Sequence, residues 1–305
     1  MATHLFKKIK TGLYNPRLAI RYVLQRGSIF DGKKFIPVFN LVKEHNQRNS
    51  KHSDYFDLCK RVLTDSVDPI IKKHFFENQN QLTETEIKKT IQSSVPENIL
   101  AGTVWPKNAH TMIGLIRLEN LQFCVEDVIK NNVEGDMIEA GVWRGGACIF
   151  MRLILKKYEI NDKIVYVADS FEGLPKPDPK YQNDDNDIHH TYDILQVSLE
   201  KVKQNFELYG VLDKPVMFLK GWFKDTLKNT HIQKLSILRL DGDMYGSTMD
   251  ILENLYDKVS SGGYVIVDDY MLPPCRKAIE DFRKDNDIHE PIIEIDGSGV
   301  YWKKL

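Results

Sequence analysis

Cysteine is scarce and scattered in this chain. Its four cysteines, Cys59, Cys124, Cys148 and Cys275, lie far apart without a CxxC pair. That pattern excludes a zinc knuckle and a disulfide framework, and it fits a reducing, cytoplasmic setting. Net charge is nearly absent, since 42 Lys and Arg face 43 Asp and Glu; no global basic field points to nucleic acid. No apolar run approaches a membrane span. The opening MATHLFKKIKTGLYNPRLAIRYVLQRG lacks the apolar core and cleavage site of a signal peptide. The nine histidines show no HxH or HExxH spacing, which disfavours a zinc hydrolase. A GxSxG elbow, a phosphate loop and the GxGxxG of a dinucleotide fold are all missing.

What is present describes a globular protein with a sizeable core, 42% hydrophobic and 10% aromatic over 305 residues. Residues 1–95 are mostly helical and polar and are expected to form an N-terminal helical extension. Within it, Phe56, Leu63, Val67, Ile70 and Ile71 recur at helical spacing, and Pro69 is placed to split or kink that helix. Lys7, Lys8, Lys10, Arg17, Arg21 and Arg26 make the first stretch basic. A solvated helix face is the expected use, with weak peripheral contact to an anionic membrane as the alternative.

Residues 96–305 are expected to form an α/β domain. Apolar strands at 136–140, 163–168, 216–220, 235–240 and 263–267 alternate with helical stretches at 146–158, 192–209, 247–259 and 274–284. This predicts a mostly parallel sheet with helices on both faces and a ligand beyond the carboxyl ends of the strands. Two more strands, 291–295 and 299–303, are joined by Asp296-Gly297-Ser298. So short a link makes a hairpin and not a parallel crossover, so the sheet should end in an antiparallel pair. The Pro/Asp-rich segment 172–193 is long enough to be a lid.

Acidic residues gather at the strand ends. Asp241-Gly242-Asp243 closes one strand, and Asp268-Asp269 closes the next. Carboxylates there are costly to desolvate without a cation or a proton. Asp241, Asp268 and Asp269 are the expected metal ligands. A set of oxygens without cysteine or clustered histidine favours Mg²⁺, Mn²⁺ or Ca²⁺ over zinc. Helix capping by Asp243 and Asp269 is the plainer use, but a cap does not need paired acids.

The first strand runs into Glu139-Ala140-Gly141-Val142-Trp143-Arg144-Gly145-Gly146. This ExGxxxGG spacing carries an acid that would repel a diphosphate but suits an ammonium, such as the amino-acid end of S-adenosylmethionine. A plain strand-to-helix turn needing glycine for packing is an equal alternative. Asp169-Ser170 ends the second strand, where a carboxylate can accept ribose hydroxyls or cap a turn. Gly221-Trp222 follows the third strand, and its aromatic ring can stack on adenine or pack in the core.

Taken together, these stretches resemble the macrocin O-methyltransferase family. The resemblance is carried by WPKNAHTMIGLIRLENL (105–121), GDMIEAGVWRGGA (135–147), DSFEGLP (169–175), FLKGWFKDTL (218–227), LRLDGDMYGST (238–248), GGYVIVDDY (262–270) and GVYWKK (299–304). It implies a class I, Rossmann-like methyltransferase fold of seven strands, S-adenosylmethionine, and Mg²⁺ or Mn²⁺. It implies metal ligation by Asp241, Asp268 and Asp269. Cofactor contacts would come from Met112, Glu139, Gly141, Arg144, Gly145, Asp169, Ser170, Gly221 and Trp222. One departure is Gly246, where relatives often carry glutamate. The acceptor is expected to be a sugar hydroxyl on a natural-product glycoside or surface glycan, and a homo-oligomer is implied. Asp243, with Asp241, is the expected catalytic pair, ahead of His189 or His190 as base. The competing class is a methyltransferase-like protein that binds without chemistry in glycan assembly. A nicotinamide-dependent sugar enzyme is disfavoured by the glycine spacing.

Overall fold

The computed structural model describes residues 46–47, 49–77 and 82–305. The basic opening stretch lies outside the described residues. Helix α1 (Ser53–Leu63) places Phe56, Cys59, Val62 and Leu63 on one fully buried face. It stops at Thr64, where Asp65 turns left-handed at φ 55°. Pro69 then opens α2 (Pro69–Glu77) at a helix start, where its missing N–H costs nothing. The helix expected around Pro69 is therefore two helices. Thr83 starts α3 (Glu84–Gln92) with a capping box: its hydroxyl accepts from the Glu86 N–H, and the Glu86 carboxylate accepts from the Thr83 N–H.

A boundary near residue 95 does not separate two cores. Phe56 of α1 packs edge-on against Phe150 of the α/β domain, ring centroids 6.2 Å apart, and both lie in one continuous cluster. Helix α4 (Gly114–Lys130) follows. Its first residue, Gly114, at φ 74°, passes so close to Gly102 that a Cβ would lie 2.3 Å from the Gly102 nitrogen.

Strand β1 (Asp136–Ala140), helix α5 (Gly146–Lys157), β2 (Val165–Asp169), α6 (Leu199–Leu208), β3 (Val216–Lys220), β4 (Leu235–Leu240), α7 (Tyr245–Leu255), β5 (Val259–Val267), α8 (Pro273–Asp285), β6 (Ile293–Glu294) and β7 (Val300–Lys303) follow, and four-residue helices lie at Glu97–Leu100 and Phe223–Thr226. The sheet order is β3-β2-β1-β4-β5-β7-β6. The first five strands pair in parallel, and β7 runs antiparallel between β5 and β6. This is the seven-stranded class I methyltransferase arrangement, with the hairpin that the short Asp296–Ser298 link requires.

Neighbouring residues of β1 serve opposite faces: Met137 joins the core that includes α5, and Ile138 joins the core that includes α7 and α8. Helix α6 starts at Leu199 rather than near Tyr192. Ser198 caps it by accepting from the Lys201 N–H, and short 3₁₀ turns at 189–191 and 193–195 fill the approach.

Candidate active site

The carboxyl ends of β1 to β4 open onto a cavity of about 680 Å³. Its floor is set by tight backbone packing. Gly141 follows β1 at φ 91°, and a Cβ there would lie 1.9 Å from the Asp241 carbonyl oxygen. Only glycine permits this approach, which brings the end of β1 against the end of β4. Asp169, at the end of β2, ties the next loop down: its carboxylate accepts from the N–H groups of Val142 at 2.8 Å and Phe171 at 2.7 Å. Burial raises its pKa, and those N–H groups pull the other way. Trp143 is held left-handed at φ 50° and donates its indole N–H to the Ile194 carbonyl at 2.8 Å.

After β4 and β5, Asp241, Asp243 and Asp269 each bring one carboxylate oxygen to a common place, all within 4.8 Å of one another. Asp241 and Asp243 line the cavity and Asp269 lies behind them, fully buried. Asp243 is held at φ 54°, a conformation an aspartate adopts at a cost. Of the set Asp241, Asp268 and Asp269 expected above, Asp241 and Asp269 meet here, joined by Asp243. Asp268 faces away into an ion-pair network. One of its oxygens accepts from Arg117 at 2.6 Å and the other from Arg239. Arg239 also pairs with Glu139 and, at 3.1 Å, with Asp241, while Arg117 reaches Asp296 at 3.1 Å. Burial works against the Arg239 charge, but Asp268, Glu139 and Asp241 outweigh it and hold its pKa above the usual value.

Among the expected cofactor contacts, Met112, Gly141, Asp169, Ser170, Gly221 and Trp222 line the cavity. Glu139, Arg144 and Gly145 do not. Glu139 is 2% exposed, bound by Arg239 and by the Cys148 thiol at 3.0 Å. Burial pushes its carboxyl up to about 7 against the pull of Arg239. Arg144 stacks 4.1 Å over Trp143 and donates to the Ala109 carbonyl at 2.7 Å, bracing the segment that carries Met112. Gly145, at φ 84°, lets α5 start beneath Val202 and Phe206. His189 pairs with Asp187 at 2.5 Å, and neither it nor His190 lines the cavity. His110 donates to or accepts from the Tyr209 hydroxyl at 2.8 Å.

Residues 52–304 match the family model for macrocin O-methyltransferases (TylF). The chain belongs to this family. It is 48% identical over 269 residues to demethyldecarbamoylnovobiocin O-methyltransferase of Streptomyces niveus, covering 87% of this chain and 98% of that protein. It is 45% identical over 253 residues to 8-demethyl-8-(2,3-dimethoxy-alpha-L-rhamnosyl)-tetracenomycin-C 4'-O-methyltransferase of Streptomyces olivaceus, covering 82% and 92%. Among solved structures it is similar to the O-methyltransferase NovP, at 46% identity and a TM-score of 0.71, covering 82% of this chain and 98% of that one. The chain is thus an O-methyltransferase, and the family implies S-adenosylmethionine as methyl donor. No helix among the described residues is long and apolar enough to cross a membrane.

Sequence reasoning missed the arginines and the lid anchor. Arg239 stands alone in the apolar strand Leu235–Leu240, and an isolated buried charge is itself a signal of a partner. Asp184 gave no such signal, because it sits among Asn183, Asp185, Asn186 and Asp187 in an unpatterned polar run.

Proposed function

We propose that the chain transfers a methyl group from S-adenosylmethionine to a hydroxyl of a sugar, with a divalent cation held at the acidic end of the cavity. The carrying observation is the convergence of Asp241, Asp243 and Asp269 within 4.8 Å at a cavity that Gly141, Asp169 and Trp222 also line. Three hard oxygens fit Mg²⁺ or Mn²⁺, and a rhamnosyl acceptor named for one relative supports a sugar here.

A bound cation would lower the hydroxyl's pKa and orient the sugar through a neighbouring oxygen. The remaining work falls to the chain. Gly141, Asp169, Ser170 and Trp222 seat the donor. The lid at 172–193, which lines the cavity from Gly173 to Asp184, covers it and keeps water out. Asp243, at the rim, takes the hydroxyl proton as the sugar oxygen attacks the methyl carbon. The carbon–sulfur bond breaks with its electron pair going to sulfur, which leaves S-adenosylhomocysteine. Alignment of oxygen, methyl carbon and sulfur is the larger contribution, worth up to about 7–11 kcal/mol in favourable cases.

The test is Asp243→Asn. The expected result is a fall in kcat of roughly 10²–10⁴-fold with donor affinity, measured by calorimetry, little changed. Turnover that survives the change, or donor binding that collapses with it, would remove Asp243 from this role.

A further inference from the structure

The lid does not rest loosely on the cavity. Asp184 is 1% exposed, and its carboxylate accepts from the N–H of Tyr245 at 2.7 Å and of Gly246 at 2.9 Å. These are the first N–H groups of α7, which have no acceptor within the helix. A residue of the lid therefore completes the start of the helix that follows Asp243. Three residues earlier in the lid, the Tyr181 ring lies over the same turn. A Cβ on Gly246 would meet its ring carbons at 2.7 and 2.9 Å, and its centroid is 5.5 Å from that of Tyr245. Gly246 has no positive φ, so the backbone does not require glycine there. The Tyr181 ring does. Tyr181, Asp184, Gly246 and Asp243 all line the cavity.

We propose that Tyr181 is a specificity-determining wall of the acceptor site, set in place by two positioning residues: Asp184, which registers the lid on α7, and Gly246, whose missing side chain leaves the ring its seat. The ring lies over the helix start that follows Asp243 and lines the same cavity, so it limits which sugar ring can bring a hydroxyl there. A larger residue at 246 would push Tyr181 aside and remodel that wall without touching the donor side. The inference rests on the methyl-transfer reading for the nature of the occupant, but the clasp itself does not.

Two measurements test it separately. The first is amide hydrogen exchange of the intact protein. Asp184→Ala should accelerate exchange at Tyr245 and Gly246 at least 10-fold while the later residues of α7 keep their protection. Unchanged exchange at those two amides overturns the clasp whether or not any acceptor is found. The second is a double-mutant cycle on acceptor kinetics with any sugar the wild type methylates. Gly246→Ala should raise the acceptor KM about tenfold with a smaller change in kcat, and Tyr181→Ala should do likewise. The double variant should be no worse than Tyr181→Ala alone, because both act through one ring. Additive effects, or a loss in kcat with KM constant, would refute the role of Tyr181. Gly246→Ala should not lower the melting temperature, since alanine is a better helix former than glycine, which separates this effect from simple unfolding. A wild type inactive on every sugar would instead sink the functional reading and leave the exchange result standing.

Discussion

Replacing Gly141 with alanine tests the floor of the site. The new Cβ would stand 1.9 Å from the Asp241 carbonyl oxygen and 3.3 Å from the Asp241 Cβ. A carbon–oxygen contact settles near about 3.3 Å, so β1 and β4 must part by more than about 1 Å at their carboxyl ends. The Asp241 N–H donates to the Ala140 carbonyl at 2.8 Å, and that opening breaks the bond, a net loss of about 1 kcal/mol. Holding alanine at φ 91° adds about 1–2 kcal/mol, and the residual overlap a further 1–2 kcal/mol or so. About 4 kcal/mol in all would lower Tm by roughly 8–16 °C in a domain of this size. Asp241 moves with the strand, so Mn²⁺ affinity should fall as well.

Gly210 supplies the control. It also has a positive φ, 64°, but nothing lies within 4 Å of its Cβ position, so Gly210→Ala should cost only the backbone strain of about 1 kcal/mol. Thermal unfolding of both variants, with Mn²⁺ titration followed by electron paramagnetic resonance, gives the comparison. If Gly141→Ala melts within a few degrees of Gly210→Ala, the close approach of β1 and β4 is not what holds the floor.

Asp268→Asn should act mainly on stability, because it weakens a buried carboxylate shared by Arg117 and Arg239. A loss of about 3–5 kcal/mol is expected on urea unfolding, whereas Asp269→Asn should chiefly weaken Mn²⁺ binding. If Asp268→Asn abolishes Mn²⁺ binding as well, Asp268 returns to the ligand set. Burial, with the charges of Lys72, Arg144 and Lys201, lowers the His110 pKa from 6.5 to about 4. The unfolded chain then binds the extra proton between those values, so this contribution to stability is full above pH 6.5 and is lost as pH falls toward 4, by about 3 kcal/mol. His110→Asn should flatten that part of the pH–stability curve, and an unchanged slope would show that another group is responsible. Thr83→Ala removes the capping box of α3 and should cost about 1 kcal/mol, measured by urea unfolding; no change would mean that α3 frays without consequence.

The sheet was legible because the five parallel strands close in apolar runs that each lead into glycine or acid. The Asp241 and Asp268-Asp269 strands are adjacent, as their shared pattern implied. The hairpin followed from the length of one link. The site was only partly legible. Which of two neighbouring carboxylates turns to the cavity depends on cross-strand partners. The register sets Arg239 directly beside Glu139, so Glu139 spends its charge on a guanidinium and Asp268 does the same. The helix expected from Tyr192 starts late because 3₁₀ turns and the Ser198 cap override its propensity. Asp184 was unreadable because its role is defined by a helix start some sixty residues away.

The most direct measurement is methyl transfer from labelled S-adenosylmethionine to a panel of sugar acceptors, read as a mass gain of one methyl, with and without a chelator. The account predicts transfer to a sugar hydroxyl that stops with chelator and returns when Mg²⁺ or Mn²⁺ is restored. Transfer that continues unchanged in chelator would contradict the role given to Asp241, Asp243 and Asp269.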